Sequence, residues 1–250
     1  MCNRYTLVDP DSAFAEIARI LGIPLGKPQW VTKRYNIGLM QVAPTVVNRG
    51  PGVEVMPMNF GYFPRAGAKM INNARSETVY ELPSFKKAIV SHRCVIPTTG
   101  FIDWETDTAD RKWPHVFTLG SGRPYGMAAI WNQGTVNEKE AVPPNFCIVT
   151  REPNELVGRI HNRMPVILRE EHLARWLDPA PMQKPEFLKI CEAYPAAEMR
   201  MHEVSTYVNN VRHEGEECAG PPTPRPVNPV APKPKPKKVD PDQLGFDLGA

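Results

Sequence analysis

The sequence has no paired cysteines. Cys2, Cys94, Cys147, Cys191 and Cys218 are scattered through 250 residues, with no C-x-x-C among them. An odd, dispersed set argues against a disulfide framework and against a structural zinc site, and it fits a reducing compartment. The six histidines show no H-x-x-x-H spacing, so no metal site and no cofactor is expected. No basic segment followed by an apolar one opens the chain, so no secretory leader is expected. No apolar run approaches the ~18 residues of a membrane span. Charge is short of either extreme: the net value is +3, so any surface for nucleic acid must come from local arrangement. There is no internal repeat. These absences lead us to expect a soluble cytoplasmic protein with no membrane partner.

What is abundant is proline, and its placement divides the chain. From Pro221 to Ala250, nine of 30 residues are proline, and Phe246 is the only aromatic. Such a stretch buries too little apolar surface to offset the entropy of ordering it. We expect a folded domain over residues 1–219 and an extended tether over 220–250. Within the domain, "DPDSAFAEIARILGIP" has a helical stripe at Phe14, Ile17, Ile20 and Leu21, a cap at Asp11 or Ser12, and a stop at Gly22. "REEHLARWLD" and "KPEFLKICEAYP" predict two more helices. "TVVNRG", "VEVMPMNFGYF", "RCVIPTTGFIDW", "HVFTLG", "YGMAAIW" and "NFCIVT" are short β-branched or apolar runs bounded by Gly, Pro, Asn and Asp. The expected class is strand-rich α+β, with mixed and antiparallel sheets forming a barrel-like core under a few covering helices.

Four stretches hold residues that can carry chemistry. Cys2 follows the initiator methionine. If Met1 is removed, an α-amine and a thiol stand on adjacent carbons, with ordinary pKa values of about 7.7–8.0 and 8.5. The amine adds to an aldehyde to give a Schiff base, and the thiol then closes on the imine carbon as a five-membered thiazolidine. "INNARSET" crowds Asn72, Asn73, Arg75 and Glu77 into a polar segment; asparagine both donates and accepts, and arginine forks onto phosphate. In "GFIDWE", Asp103 and Glu105 alternate with Trp104, which puts both carboxylates on one side of a strand. Apolar neighbours there raise a carboxyl into the general-acid range. "RIHNRMP" sets His161 between Arg159 and Arg163, where it is a candidate acid–base group. Taken singly, each has an ordinary explanation: a loose terminal thiol, a polar loop, a strand with a solvated face, a surface histidine.

Their order along the chain is more specific. "MC-x-R", "NARxET", "RCxIPxxGFxxW", "AxxW" and "IHxRMP", closing with "VSTYVNNV" near Asn210, resemble the SOS response-associated peptidase (SRAP) family. The resemblance implies a compact α+β fold with a positively charged groove for single-stranded DNA. It implies recognition of abasic sites, cross-linking to them as a thiazolidine, an associated lyase activity, and autoproteolytic or aminopeptidase removal of Met1. By match of position, Cys2 is the nucleophile, Asn73 contacts the abasic sugar, and His161 assists ring opening and reversal. Arg4, Arg75 and Arg163 are DNA-binding arginines; Phe60 replaces a tryptophan that stacks near the DNA.

Some positions depart from the family's pattern. Asn3 replaces a glycine after the cysteine. Asp103 stands where the family has the acid–base glutamate of "GFYEW", with Glu105 two residues on. "YNIGLMQ" replaces "YNIAPTQ". The alternative to a covalent sensor is therefore a catalytically weakened paralogue that binds DNA without chemistry; a third, remoter alternative is an N-terminal-cysteine protease acting on other proteins. The tail adds a separate expectation. "QLGFDL", with Gln243, Leu244, Phe246 and Leu248, resembles the short peptide by which bacterial proteins dock on the replicative sliding clamp. The protein is expected to act as a monomer associated with the nucleoid.

Overall fold

Glycines, prolines and polar turns cut the domain into short strands, and the computed structural model, which describes residues 2–136 and 141–226, arranges them in two main sheets. In chain order the elements are β1 (Arg4–Leu7), α1 (Pro10–Leu21), β2 (Arg34–Gly38), β3 (Val42–Asn48), β4 (Val53–Phe60), β5 (Asn73–Arg75), α2 (Pro83–Ser91), β6 (Arg93–Thr98), β7 (Gly100–Thr106), β8 (Lys112–Leu119), β9 (Tyr125–Asn132), β10 (Thr135–Val136), β11 (Ala141–Val142), β12 (Asn145–Arg151), β13 (Met164–Pro165), α3 (Glu170–Leu177), α4 (Lys184–Ile190) and β14 (Met199–Glu203). None of the described helices is long and apolar enough to cross a membrane.

The first sheet has five strands in the order β14-β8-β7-β1-β2. The second runs β13-β12-β4-β3-β6-β9, and a further pairing of β12 with β9 curls it back on itself. Most pairings are antiparallel; β12 runs parallel to β4 and to β5. The inner faces share one core. Tyr5 of the first sheet meets Phe60 of the second at 5.9 Å between ring centres, Phe60 stacks on Phe146 at 5.0 Å, and Phe101 stacks on Phe117 at 4.7 Å. The strand-rich α+β expectation holds. A smaller cluster of Ile102, Val116, Val204, Val208 and Cys218 covers the outer face of the first sheet.

The three expected helices form, with one change of cap. Asp9, not Asp11 or Ser12, caps α1, accepting from the Ser12 N–H at 3.0 Å. Gly22 ends the helix at a φ of 64°, a conformation that favours glycine. A fourth helix, α2, was not read from the sequence, although Pro83 at its start and Phe85, Ala88 and Ile89 at helical spacing mark it. The run "RCVIPTTGFIDW" is two strands in different sheets. The Thr98 hydroxyl donates to the Thr6 carbonyl at 2.9 Å and accepts from the Gly100 N–H at 3.1 Å, which turns the chain from β6 to β7. Arg93, which opens that run, is buried and donates to the carbonyls of Ile89 and Trp176, each at 3.0 Å, joining α2 to α3.

Packing continues past the expected boundary at Ala219. Thr223 Oγ1 accepts from the Thr206 N–H at 2.9 Å, and Arg225 pairs with Glu105 and Glu203, both at 2.7 Å. A docked arginine outweighs the local proline content there. The segment with Gln243, Leu244, Phe246 and Leu248 lies outside the described residues.

Candidate active site at the seam of the two sheets

The antiparallel register of β1 and β7 places Tyr5 opposite Phe101. Continued by two residues, that register sets Asn3 opposite Asp103, with Cys2 beside it. The second sheet brings Asn73, the first residue of β5, and His161, which precedes β13. Cys2, Asn73, Asp103 and His161, four stretches apart in sequence, thus meet at one seam.

Cys2 is fully buried. Its backbone carbonyl accepts from Asn73 Nδ2 at 3.0 Å. Burial pushes the thiol well above the ordinary range, and the charge of Asp103 pushes it further. At neutral pH this sulfur is a thiol, and its proton needs a base before it reacts. Asn73 Oδ1 is buried and has no hydrogen-bond partner among the described residues. An unmet buried acceptor is costly, which suits a position that receives a donor from a ligand.

Asp103 is 3% exposed. One oxygen accepts from the Trp104 N–H at 3.0 Å, and the other stands 3.6 Å from His161 Nδ1. Burial raises the carboxyl, while the positive charge of the amino terminus and His161 oppose the rise. His161 is held by its own loop: its N–H donates to the Val157 carbonyl at 3.0 Å, and its Nδ1 accepts from the Arg163 N–H at 3.0 Å. Glu105 does not share this seat. Two residues outward, it is paired with Arg225.

The arginines divide by what holds them. Arg163 forks onto Glu77 with two contacts of 2.9 Å and donates to the Thr150 carbonyl at 2.7 Å. It locks "NARSET" to "IHNRMP", so the two motifs are one structural unit. Arg4 is half-buried; it donates to Asn36 Oδ1 at 2.7 Å and to the Val208 carbonyl at 3.1 Å, and lies 5.6 Å over the Trp104 ring. Arg75, at the end of β5, is exposed. Phe60 corrects an expectation. It is fully buried between Tyr5 and Phe146, so its face is taken by the core and offers nothing to a base.

Sequence reading gave no role to Asn36, Gly38 or the "VSTYVNNV" stretch. Asn36 Nδ2 lies 3.2, 3.0 and 2.9 Å from the carbonyls of Val208, Asn210 and His213, pinning that stretch beside Arg4. A Cβ on Gly38 would come within 2.6 Å of Val211 and 2.9 Å of Arg4. The glycine in "YNIGLMQ" thus makes room for the arginine. Its presence where the family has alanine was the one available signal.

The sequence pattern of the family described as SOS response associated peptidase (SRAP) matches residues 1–211. The chain is 33% identical over 225 residues to the abasic site processing protein YoqW of Bacillus subtilis (strain 168), covering 87% of this chain and 98% of the relative. It is 26% identical over 241 residues to the abasic site processing protein HMCES of Gallus gallus, covering 78% and 69%. Among solved structures, a Bacteroides thetaiotaomicron protein superposes with a TM-score of 0.70 at 22% identity, over 84% of this chain and 95% of the other. A phage-related Bordetella bronchiseptica protein gives 0.65 at 22%, over 89% and 100%. This chain belongs to the SRAP family.

Proposed function

We propose that the protein processes abasic sites in single-stranded DNA by forming a thiazolidine cross-link through Cys2 once Met1 has been removed. The observation that carries this reading is the convergence of Cys2, Asn73, Asp103 and His161 at one seam. The resemblance, at a third of the sequence identical, to a protein named for abasic site processing supports the choice of abasic sites.

The ring-opened abasic sugar presents an aldehyde at C1′. The Cys2 amine adds to it and water leaves, giving an imine. The Cys2 sulfur then bonds to the imine carbon, and the thiol proton moves to the nitrogen. The balance is one aldehyde plus one aminothiol giving one thiazolidine and one water. Asp103, raised by burial and acting on Cys2 through its charge, takes and returns the proton. His161 stands beside that carboxyl as its partner and assists sugar-ring opening and reversal. Asn73 fixes the Cys2 backbone with its amide nitrogen and offers Oδ1 to a sugar hydroxyl. Arg75 and Arg4 contact phosphates, which supply affinity without sequence information. The same imine, if it loses the sugar's 3′ phosphate by elimination, accounts for a lyase activity.

Purified protein incubated with single-stranded DNA carrying an abasic site should give an adduct that survives heat and SDS and is absent in Cys2→Ala. DNA binding without an adduct, under conditions that cross-link a reactive control, would instead establish the weakened non-covalent module. The tail peptide Gln243, Leu244, Phe246 and Leu248 is proposed to dock on the sliding clamp, placing the protein at replication forks in the nucleoid. Deleting residues 243–250 should abolish clamp capture; unchanged capture removes that part.

A further inference from the structure

A second group of chemically active side chains lies outward of Asp103 on the same face of the first sheet. His115 on β8 is opposite Asp103 on β7 and opposite Glu203 on β14. Glu105 is two residues along β7, so its side chain shares that face. The ligating atoms of Glu105, His115 and Glu203 all lie within 4.8 Å of one another. His115 Nε2 is 3.9 Å from Oε2 of each glutamate.

The orientation of His115 is the second observation. Its side chain is 9% exposed. Its Nδ1 is 3.0 Å from the Trp113 carbonyl oxygen. A carbonyl only accepts, so Nδ1 carries the hydrogen, and in the neutral ring Nε2 bears the lone pair. Among the described residues Nε2 makes no hydrogen bond; the atoms facing it are the two carboxylate oxygens at 3.9 Å. A buried imidazole held by a backbone carbonyl through one nitrogen, with the other facing two carboxylates, has the arrangement of a metal ligand. Arg225 occupies the space without completing it. Its Nη2 donates to Oε2 of both glutamates at 2.7 Å, and its guanidinium lies 4.8 Å from the Trp113 ring centre. That serves the carboxylates, while the imidazole nitrogen keeps only its 3.9 Å contacts with them. The guanidinium holds the two carboxylates from the place a bound cation would take, so an ion entering the site has to displace it.

We propose that Glu105, His115 and Glu203 form a binding site for a divalent cation of the zinc type, and that Arg225 competes with the ion for it. One nitrogen and two oxygens leave a fourth position open, as zinc sites with three protein ligands do. The imidazole disfavours Mg2+ and Ca2+, which take oxygen ligands. Tetrahedral zinc with ligands at about 2.1 Å sets them ~3.4 Å apart, so the present spacing closes by rotation of two surface glutamates. Binding frees Arg225 from Glu105 and Glu203.

The full-length chain carrying Cys2→Ala, which removes the N-terminal thiol as a rival ligand, is titrated with Zn2+ against a chromophoric zinc chelator. One saturable equivalent is expected. Glu203→Gln and His115→Gln should each weaken it roughly tenfold or more, and Arg225→Ala should strengthen it, a direction that misfolding does not mimic. X-ray absorption at the zinc edge should show only nitrogen and oxygen neighbours near ~2.0–2.1 Å. No saturable binding, affinity indifferent to Glu203→Gln and His115→Gln, or a sulfur neighbour at ~2.3 Å would overturn the site. Unchanged affinity in Arg225→Ala would overturn the competition.

Discussion

Asn73 donates from its side-chain nitrogen to the backbone carbonyl of Cys2 at 3.0 Å, across 71 residues of chain. The same amide leaves its oxygen buried and without a partner among the described residues. One side chain therefore both holds the Cys2 backbone and leaves a buried acceptor at the seam, where the proposed reaction puts a sugar hydroxyl.

Asn73→Ala should therefore slow adduct formation by about a hundredfold, the scale of a roughly 1 Å misplacement of reacting groups. Affinity for the DNA should change little, because the proposed phosphate contacts come from arginines and not from Asn73. Single-turnover cross-linking rates and gel-shift affinities measured on the same variant test both halves.

Asp103 predicts an exchange of stability for activity. Burial raises its carboxyl in the folded protein above the unfolded value of about 3.9. The folded state then binds the proton more tightly than the unfolded chain, so stability falls as pH rises between those two values and stays reduced above them. Asp103→Asn removes that loss. The variant should gain in denaturant midpoint relative to the parent at pH 7, converge with it below about pH 4, and lose most of its cross-linking rate. Asp103→Glu, which restores the family's usual chain length, should cross-link faster than the parent.

Arg75 and Arg163 should behave in opposite ways. Arg75 is exposed, so Arg75→Ala should reduce the slope of log affinity against log salt by about 1 with little change in melting temperature. The Arg163 side chain is 12% exposed and bound to Glu77 and the Thr150 carbonyl. Arg163→Ala should cost about 1–3 kcal/mol of stability and leave the salt slope nearly intact. Salt titrations and denaturant melts of the two variants separate these roles.

Phe60→Ala should cost about 3–5 kcal/mol, the range for emptying an aromatic site in a packed core. Phe60→Leu, which keeps most of the volume, should bind single-stranded DNA as the parent does. A loss of binding in a folded Phe60→Leu would restore the ring to the DNA interface.

The family and the residues of the candidate site were legible because they depend on residue type and order. Cys2, Asn73, Asp103 and His161 sit in short motifs that the structure brings together, and the strand runs announce themselves by β-branching and alternation. What was hidden depends on long-range contact. Phe60 reads as a surface aromatic until Phe146, 86 residues away, is stacked on it. Arg163 reads as a phosphate ligand until Glu77 is found in its fork. β1, β2 and β14 were passed over because their sequences, "RYTL", "RYNIG" and "MRMHE", mix charge with apolar residues; their pairing, not their propensity, makes them strands. Glu105 stood in the sequence as a possible substitute for Asp103, since both share one face of β7. The distinction came from Arg225, which lies 120 residues away.

The central claim is that the Cys2 amine and thiol both bond to the abasic carbon. Intact-mass analysis of the protein, alone and after reaction with an abasic single-stranded oligonucleotide, tests it directly. The account predicts a free chain lacking Met1 and an adduct weighing that chain plus the oligonucleotide minus one water. The adduct should resist borohydride without prior reduction being needed to preserve it, because a thiazolidine has no imine left to reduce. A chain that lacks Met1 and binds the DNA yet gives no adduct, or one trapped only when borohydride is present, would contradict it.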